Sequence, residues 1–146
     1  MKESRSPLQS TSFLLSKLGM SATARFGEKV AALGLKPNLA GLLAAAAENP
    51  DHSQLELGRF LGVGPSALVP LIDELERRGL VRRMRSNSDR RRQEIQVTGD
   101  GVTAIAQTAQ LAQEVDQELL GTLAPEEFLV LHTLLRRLAD VSLFRT

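Results

Sequence analysis

The chain has 146 residues, no cysteine, no tryptophan or tyrosine, and a formal net charge of +1. That length suits one domain with a sizeable core, and the missing thiols exclude disulfides, thiolate metal sites and thiol-based redox sensing. The near-neutral total hides an uneven field: residues 77–92 carry eight arginines against a single acid, Asp89, while the remainder holds ten basic and sixteen acidic residues.

From Leu8 through Phe13, Leu14, Leu15, Leu18, Ala22, Phe26 and Val30 to Leu33, apolar residues recur at threes and fours. The spacing predicts one long amphipathic helix after Pro7, with an irregularity at Gly19 and an end at Gly34. Pro37 opens a second helix, Asn38 to Ala47, whose apolar face is Leu39, Leu42, Leu43 and Ala46; Asn49-Pro50-Asp51 breaks it. Ser53 and Glu56 have capping-box spacing ahead of Leu57, Phe60 and Leu61, so a short third helix starts there and stops at Gly62. A fourth runs from about Pro65 to Arg78, turns Leu68, Leu71, Ile72 and Leu75 inward and ends at Gly79. Two short helices joined by a glycine turn form a helix-turn-helix.

Beyond Gly79 the period becomes two. Leu80, Arg82 and Met84 point one way and Val81, Arg83 and Arg85 the other, with Glu94-Ile95-Gln96-Val97 as the return arm and Ser86-Asn87-Ser88-Asp89 as turn formers. The result is a β-hairpin whose loop holds arginines, hence a winged helix, a basic tip suited to a polyanion approached from one side. Thr98 caps a fifth helix through Val102, Ile105, Ala109, Ala112, Val115 and Leu119 to about Thr122. A sixth starts near Pro125 with Glu126 and Glu127 in its first turn, and presents Phe128, Leu131, Leu134, Leu135, Leu138 and Val141. The fold class is mainly α with a small β-hairpin wing. The first helix and the last two carry more apolar surface than one small core covers, so part of it is expected against a second copy.

Other chemistries find little support. His52 and His132 stand eighty residues apart without clustered carboxylates and read as surface or boundary histidines, so no metal and no cofactor is expected. Asp73, Glu74 and Glu76 sit beside basic residues on one short helix and read as a solvated or ion-paired face; Ser10, Thr11 and Ser12 have no base nearby, so no enzyme is expected. The basic window lacks aromatic stacking platforms, which disfavours a single-strand or RNA binder, and its charge density disfavours a module for protein contacts alone. No apolar run reaches the roughly 20 residues of a membrane span, and a cytoplasmic protein is expected.

The ordered set Gln54-Leu55-Glu56-Leu57-Gly58, Leu75-Glu76-Arg77-Arg78-Gly79-Leu80-Val81, Asp89-Arg90-Arg91 and Thr98-x-x-Gly101 resembles the MarR family of multiple-antibiotic-resistance-type transcriptional regulators. The resemblance implies a homodimer on an inverted-repeat operator in double-stranded DNA, a repressor released by a small aromatic or lipophilic anion. It divides the chain into an N-terminal dimerisation helix (1–34), a DNA-binding lobe (35–98) and C-terminal dimerisation helices (99–146). Candidate DNA contacts are Ser53, Gln54, Pro65, Ser66, Ala67, Val69, Arg77, Arg83, Arg85, Asp89, Arg90, Arg91 and Arg92, with Arg91 in the minor groove and Asp89 orienting it or a neighbouring arginine. Position in the family fold assigns Met20, Arg25, Phe26, Leu35, Asn38 and Leu42 to an effector pocket. It assigns Leu8, Phe13, Leu14, Leu131, Leu134, Leu135, Leu138, Val141 and Phe144 to the dimer interface. The chain departs from the family pattern at Pro65-Ser66-Ala67-Leu68-Val69-Pro70, where Ser66 is the only polar side chain at the groove-facing start and Pro70 is expected to kink the helix. Specificity is then expected to lean on DNA shape and the wing.

Overall fold

Side-chain caps set the starts of three of the helices. In the computed structural model, which describes residues 6–142, Ser10 Oγ accepts the Phe13 amide at 3.2 Å, Ser53 Oγ the Glu56 amide at 3.3 Å and Thr98 Oγ1 the Gly101 amide at 3.1 Å. These caps satisfy N–H groups that have no partner within their own helix. The elements are a 3-10 turn Pro7–Gln9, α1 Thr11–Ala31, α2 Pro37–Glu48, α3 Gln54–Leu61, α4 Pro65–Arg77, β1 Val81–Arg85, β2 Gln93–Val97, α5 Gly99–Leu120 and α6 Pro125–Ser142.

Two details differ from the helical reading of the sequence. The first helix breaks at Ser10, where a cap begins α1, and then runs unbroken through Gly19. Eight helical residues, Thr11 to Leu18, flank that glycine on the N-terminal side alone, and no neighbouring atom presses on it, so its penalty of about 1 kcal/mol is outweighed. Likewise α4 continues through Pro70, although proline offers no N–H to the Ser66 carbonyl.

The core gathers Val30 from α1, Leu39, Leu42 and Leu43 from α2, Leu57 from α3, Leu68, Ile72 and Leu75 from α4, and Val81 and Ile95 from the hairpin. Every helix and strand from α1 to β2 therefore contributes to one apolar cluster. The strands pair antiparallel with Val81 opposite Val97, Arg83 opposite Ile95 and Arg85 opposite Gln93. A single bridge between Ser53 and Glu94 adds the start of α3 to the edge of the hairpin.

The α1 helix lies along α5, held by ion pairs from Lys29 to Glu114 (3.2 Å) and Glu118 (2.7 Å) and from Arg25 to Glu118 (3.0 Å). The α6 helix buries none of its residues, and Leu129, Leu134, Leu138 and Val141 are exposed along it. Leu8, Leu14, Leu15 and Leu18 are exposed at the other end of the chain. On α5 the apolar reading holds for Val115, which is buried, whereas Val102 and Ala109 face solvent. No single helix among the described residues is long and apolar enough to cross a membrane.

Candidate nucleic-acid interface

Helices α3 and α4 meet at a bend of 112°. Gly62 makes the turn: its φ of +68° lies in the left-handed region that favours glycine, and it allows the Val63 amide to return to the Gly58 carbonyl at 2.8 Å. Beyond the turn, Pro65, Ser66, Ala67 and Val69 are exposed while Leu68 between them is buried. The start of α4 thus presents a nearly apolar outer face.

The hairpin is clamped where it leaves and rejoins the lobe. Thr98 Oγ1 donates to the Gly79 carbonyl at 2.6 Å, and the Thr98 amide donates to Leu80 O at 3.0 Å. A side chain at Gly101 would collide with the Leu80 carbonyl, which explains the Thr98-x-x-Gly101 spacing. At the tip, buried Ser86 accepts the Ser88 amide on its hydroxyl (3.3 Å), and its own amide donates to Arg92 O (2.9 Å). Asp89 Oδ1 accepts the Arg91 amide at 3.0 Å, so this carboxylate fixes the backbone of Arg91 rather than its guanidinium.

The eight arginines of the basic window separate into two groups. Arg77 and Arg78 bind Glu74 at 2.6 and 2.9 Å; Arg83 binds Asp73 at 2.5 Å and Glu76 at 2.9 Å; Arg92 binds Glu56 at 2.9 Å. The guanidinium of Arg77, then that of Arg78, holds the Glu74 carboxyl below the usual carboxylate range. Arg82, Arg85, Arg90 and Arg91 are exposed and have no ion pair among the described residues. Candidate contacts Arg77, Arg83 and Arg92 are therefore turned to partners inside the lobe, because each has a carboxylate within reach across a turn or a strand. Arg83 is the most committed: its side chain is 19% exposed and its Nε also lies 3.5 Å from Gln54 Oε1, so Gln54 too has an internal partner. Ser53 serves as the α3 cap.

A cleft of about 800 Å³ opens between α3, the start of α4 and the wing tip, lined among others by Gln54, Arg59, Pro65, Asp89 and Arg91. Of the thirteen DNA-contact candidates it brings together six: Ser53, Gln54, Pro65, Asp89, Arg91 and Arg92. Arg59 and Arg82, which the candidate set omits, are exposed and unpaired by any ion pair among the described residues. For Arg59 the signal was its place in the last turn of α3, next to the glycine turn.

The six effector candidates have different surroundings within one subunit. Leu35 and Leu42 are buried in the core, Met20 is exposed, Arg25 pairs with Glu118, half-buried Phe26 packs on the core, and Asn38 Oδ1 accepts the Leu39 amide. Of the interface candidates, Leu8, Leu14, Leu134, Leu135, Leu138 and Val141 are exposed and Phe13 and Leu131 half-buried; Phe144 lies outside the described residues.

A helix-turn-helix joined to an arginine-tipped hairpin, with helices flanking it that leave apolar faces open, defines a winged helix-turn-helix protein. Residues 36–92 match the MarR family. Over these residues the chain is similar to a family of transcriptional regulators. It is 37% identical over 105 residues to a transcriptional regulatory protein for the hcr operon of Thauera aromatica, a match that covers 72% of this chain and 63% of that protein. The structure of CouR from Rhodococcus jostii RHA1 bound to p-coumaroyl-CoA superposes with a TM-score of 0.83 at 26% identity, covering 98% of each chain. Wild-type apo MarR from E. coli shares the fold, with a TM-score of 0.77 at 24% identity over 88% of this chain and 96% of that one.

Proposed function

We propose that the protein is a homodimeric repressor that binds an inverted-repeat operator in double-stranded DNA and is released by a small aromatic or lipophilic anion. Each subunit inserts the start of α4 into a major groove and lays the wing tip in the adjacent minor groove. The observation that carries this reading is the cleft shared by α4 and the wing: an uncharged, small-residue helix start and the free arginine Arg91 face one opening. The apolar helix start fits close approach to the base edges and thymine methyl groups, while free guanidinium groups fit the negative potential of a narrow minor groove.

The dimer follows from α6 and the first turns of the chain, whose exposed leucines exceed what a soluble monomer ordinarily leaves open. In this reading segments 1–34 and 99–146 belong to its base and 35–98 to its reading lobes. Release by an anion is supported by CouR, which was solved with an aromatic acyl thioester bound.

The test is a titration of duplex, single-stranded and RNA probes at rising salt. Duplex affinity should fall linearly on a log–log plot, with a slope no steeper than about −7 if the eight free wing arginines of a dimer each displace one counterion. Preference for RNA or a single strand, or binding insensitive to salt, would overturn the reading. Added p-coumaroyl-CoA or a small aromatic carboxylate should lower duplex affinity at fixed salt.

A further inference from the structure

The wing tip is tied down by a contact that charge counting alone would call unfavourable for DNA binding. Arg92 is the last residue of the tip loop, and its main chain closes that loop through Ser86, while its amide donates to Asp89 O at 3.0 Å. Its side chain turns away from the tip. Nη2 donates to Glu56 Oε2 at 2.9 Å and to the Asp51 carbonyl, and Nε is buried without a partner. Both acceptors belong to residues 51–56, the segment that also forms the Ser53–Glu94 bridge and supplies Gln54 to Arg83.

Glu56 is equally diverted. Its spacing from Ser53 is that of a capping box, and the Ser53 hydroxyl does accept the Glu56 amide. The Glu56 carboxylate makes the ion pair with Arg92 across the wing root. Arg92 lines the cleft, but with Nη2 spent on two internal acceptors and Nε buried, its guanidinium has fewer donors left for a phosphate. A carboxylate at the wing root, taken alone, would repel one.

Resting on the DNA-binding reading above, we propose that Glu56 and Arg92 are a positioning pair for DNA recognition. They fix the tip loop over the cleft so that Arg90 and Arg91 are presented in register with α4, and neither member contacts DNA itself. An acid near the interface then raises affinity for a polyanion by holding a loop in place.

The experiment uses the full chain and a duplex selected from a randomised pool by its affinity for the unaltered protein. Glu56→Gln makes the protein less negative, and Arg92→Lys keeps the charge but replaces the planar guanidinium, whose Nη2 reaches both acceptors, with a shorter ammonium side chain. Both variants should weaken duplex binding about five- to tenfold, the scale of one charge-assisted hydrogen bond. Hydroxyl-radical footprints should lose minor-groove protection under the tip while keeping major-groove protection. Tighter or unchanged binding by Glu56→Gln, or wild-type binding by Arg92→Lys, overturns the proposal, and Arg92→Lys carries the test if Glu56→Gln does not fold. Hydrogen exchange in the free protein separates the two readings. Faster exchange at the Ser86 and Arg92 amides of Glu56→Gln supports the anchor, and unchanged exchange overturns it whatever the DNA result. If the unaltered protein binds no duplex while exchange still quickens, the DNA reading fails and the positioning role fails with it.

Discussion

The reading lobe and the α6 helix use their side chains in opposite ways. In the lobe, helices α2 to α4 and the hairpin close one apolar cluster, and half of the basic window is neutralised by carboxylates a turn or a strand away. Along α6, with no buried residue, the leucines stay open. The lobe is a finished unit whose remaining free charges are available for an outside partner; α6 leaves an apolar face open, which the proposed dimer would cover.

Replacing Leu134 and Leu138 together by glutamate should break this contrast most severely. The dimer should be lost by sedimentation, and operator affinity should drop about 100-fold or more, because two half-sites would no longer be held by one assembly. A double variant that stays dimeric would show that α6 is not the mating surface. The complementary change is Leu75→Ala in the lobe, where the side chain is fully buried; it should lower stability by about 2–5 kcal/mol in denaturant titration.

Arg91→Ala sharpens the comparison on the charged side. It should weaken operator binding by about 1–3 kcal/mol and leave the melting temperature nearly unchanged, since the residue is exposed and has no ion pair among the described residues. A base-by-base scan of one half-site should show flanking A·T positions mattering as much as those under α4, and this advantage should vanish in the variant. Asp89→Ala should weaken binding less, through a loosened Arg91 backbone; tighter binding would contradict that role.

The smallest effect concerns the α1–α5 seam. Lys29, then Arg25, lowers the Glu118 carboxyl from its ordinary value of 4.5, so this contribution to stability is present above that value and disappears as the pH falls through the lowered one. The same contacts raise Lys29 above 10.5, with Glu118 as the first cause and Glu114 as the second; that share is complete below 10.5 and disappears as the pH rises beyond it. Glu118→Gln should therefore melt below wild type at neutral pH, and the gap should close under acid conditions.

Local signals carried most of the fold. Ser53, Thr98, Pro37, Pro65 and the glycines at 34, 62 and 79 act within a few residues, so the helices and hairpin were legible from the chain alone. Which arginines remain free was not legible from charge. Arg83 lies ten residues from Asp73 and Arg92 thirty-six from Glu56, and only the folded wing brings each pair together. The alternation did contain a hint: Arg83 shares its face of β1 with buried Val81, which turns it toward α4 and its acids. Position along a helix likewise does not tell a cavity wall from a core residue such as Leu42, so the effector assignment rests on the family fold alone.

The clamp at Thr98 makes the wing a detachable part in evolutionary terms. Because residues 79 and 98 are joined at the base and Ser86 meets Arg92 at the neck, the span between Asn87 and Ser88 can lengthen without moving α4 or α5. Doubling such a loop adds only about 0.6 kcal/mol of closure entropy. A lineage could therefore try new tips, with different reach and different bases read, on an unchanged chassis, altering which operators it serves before altering how it assembles.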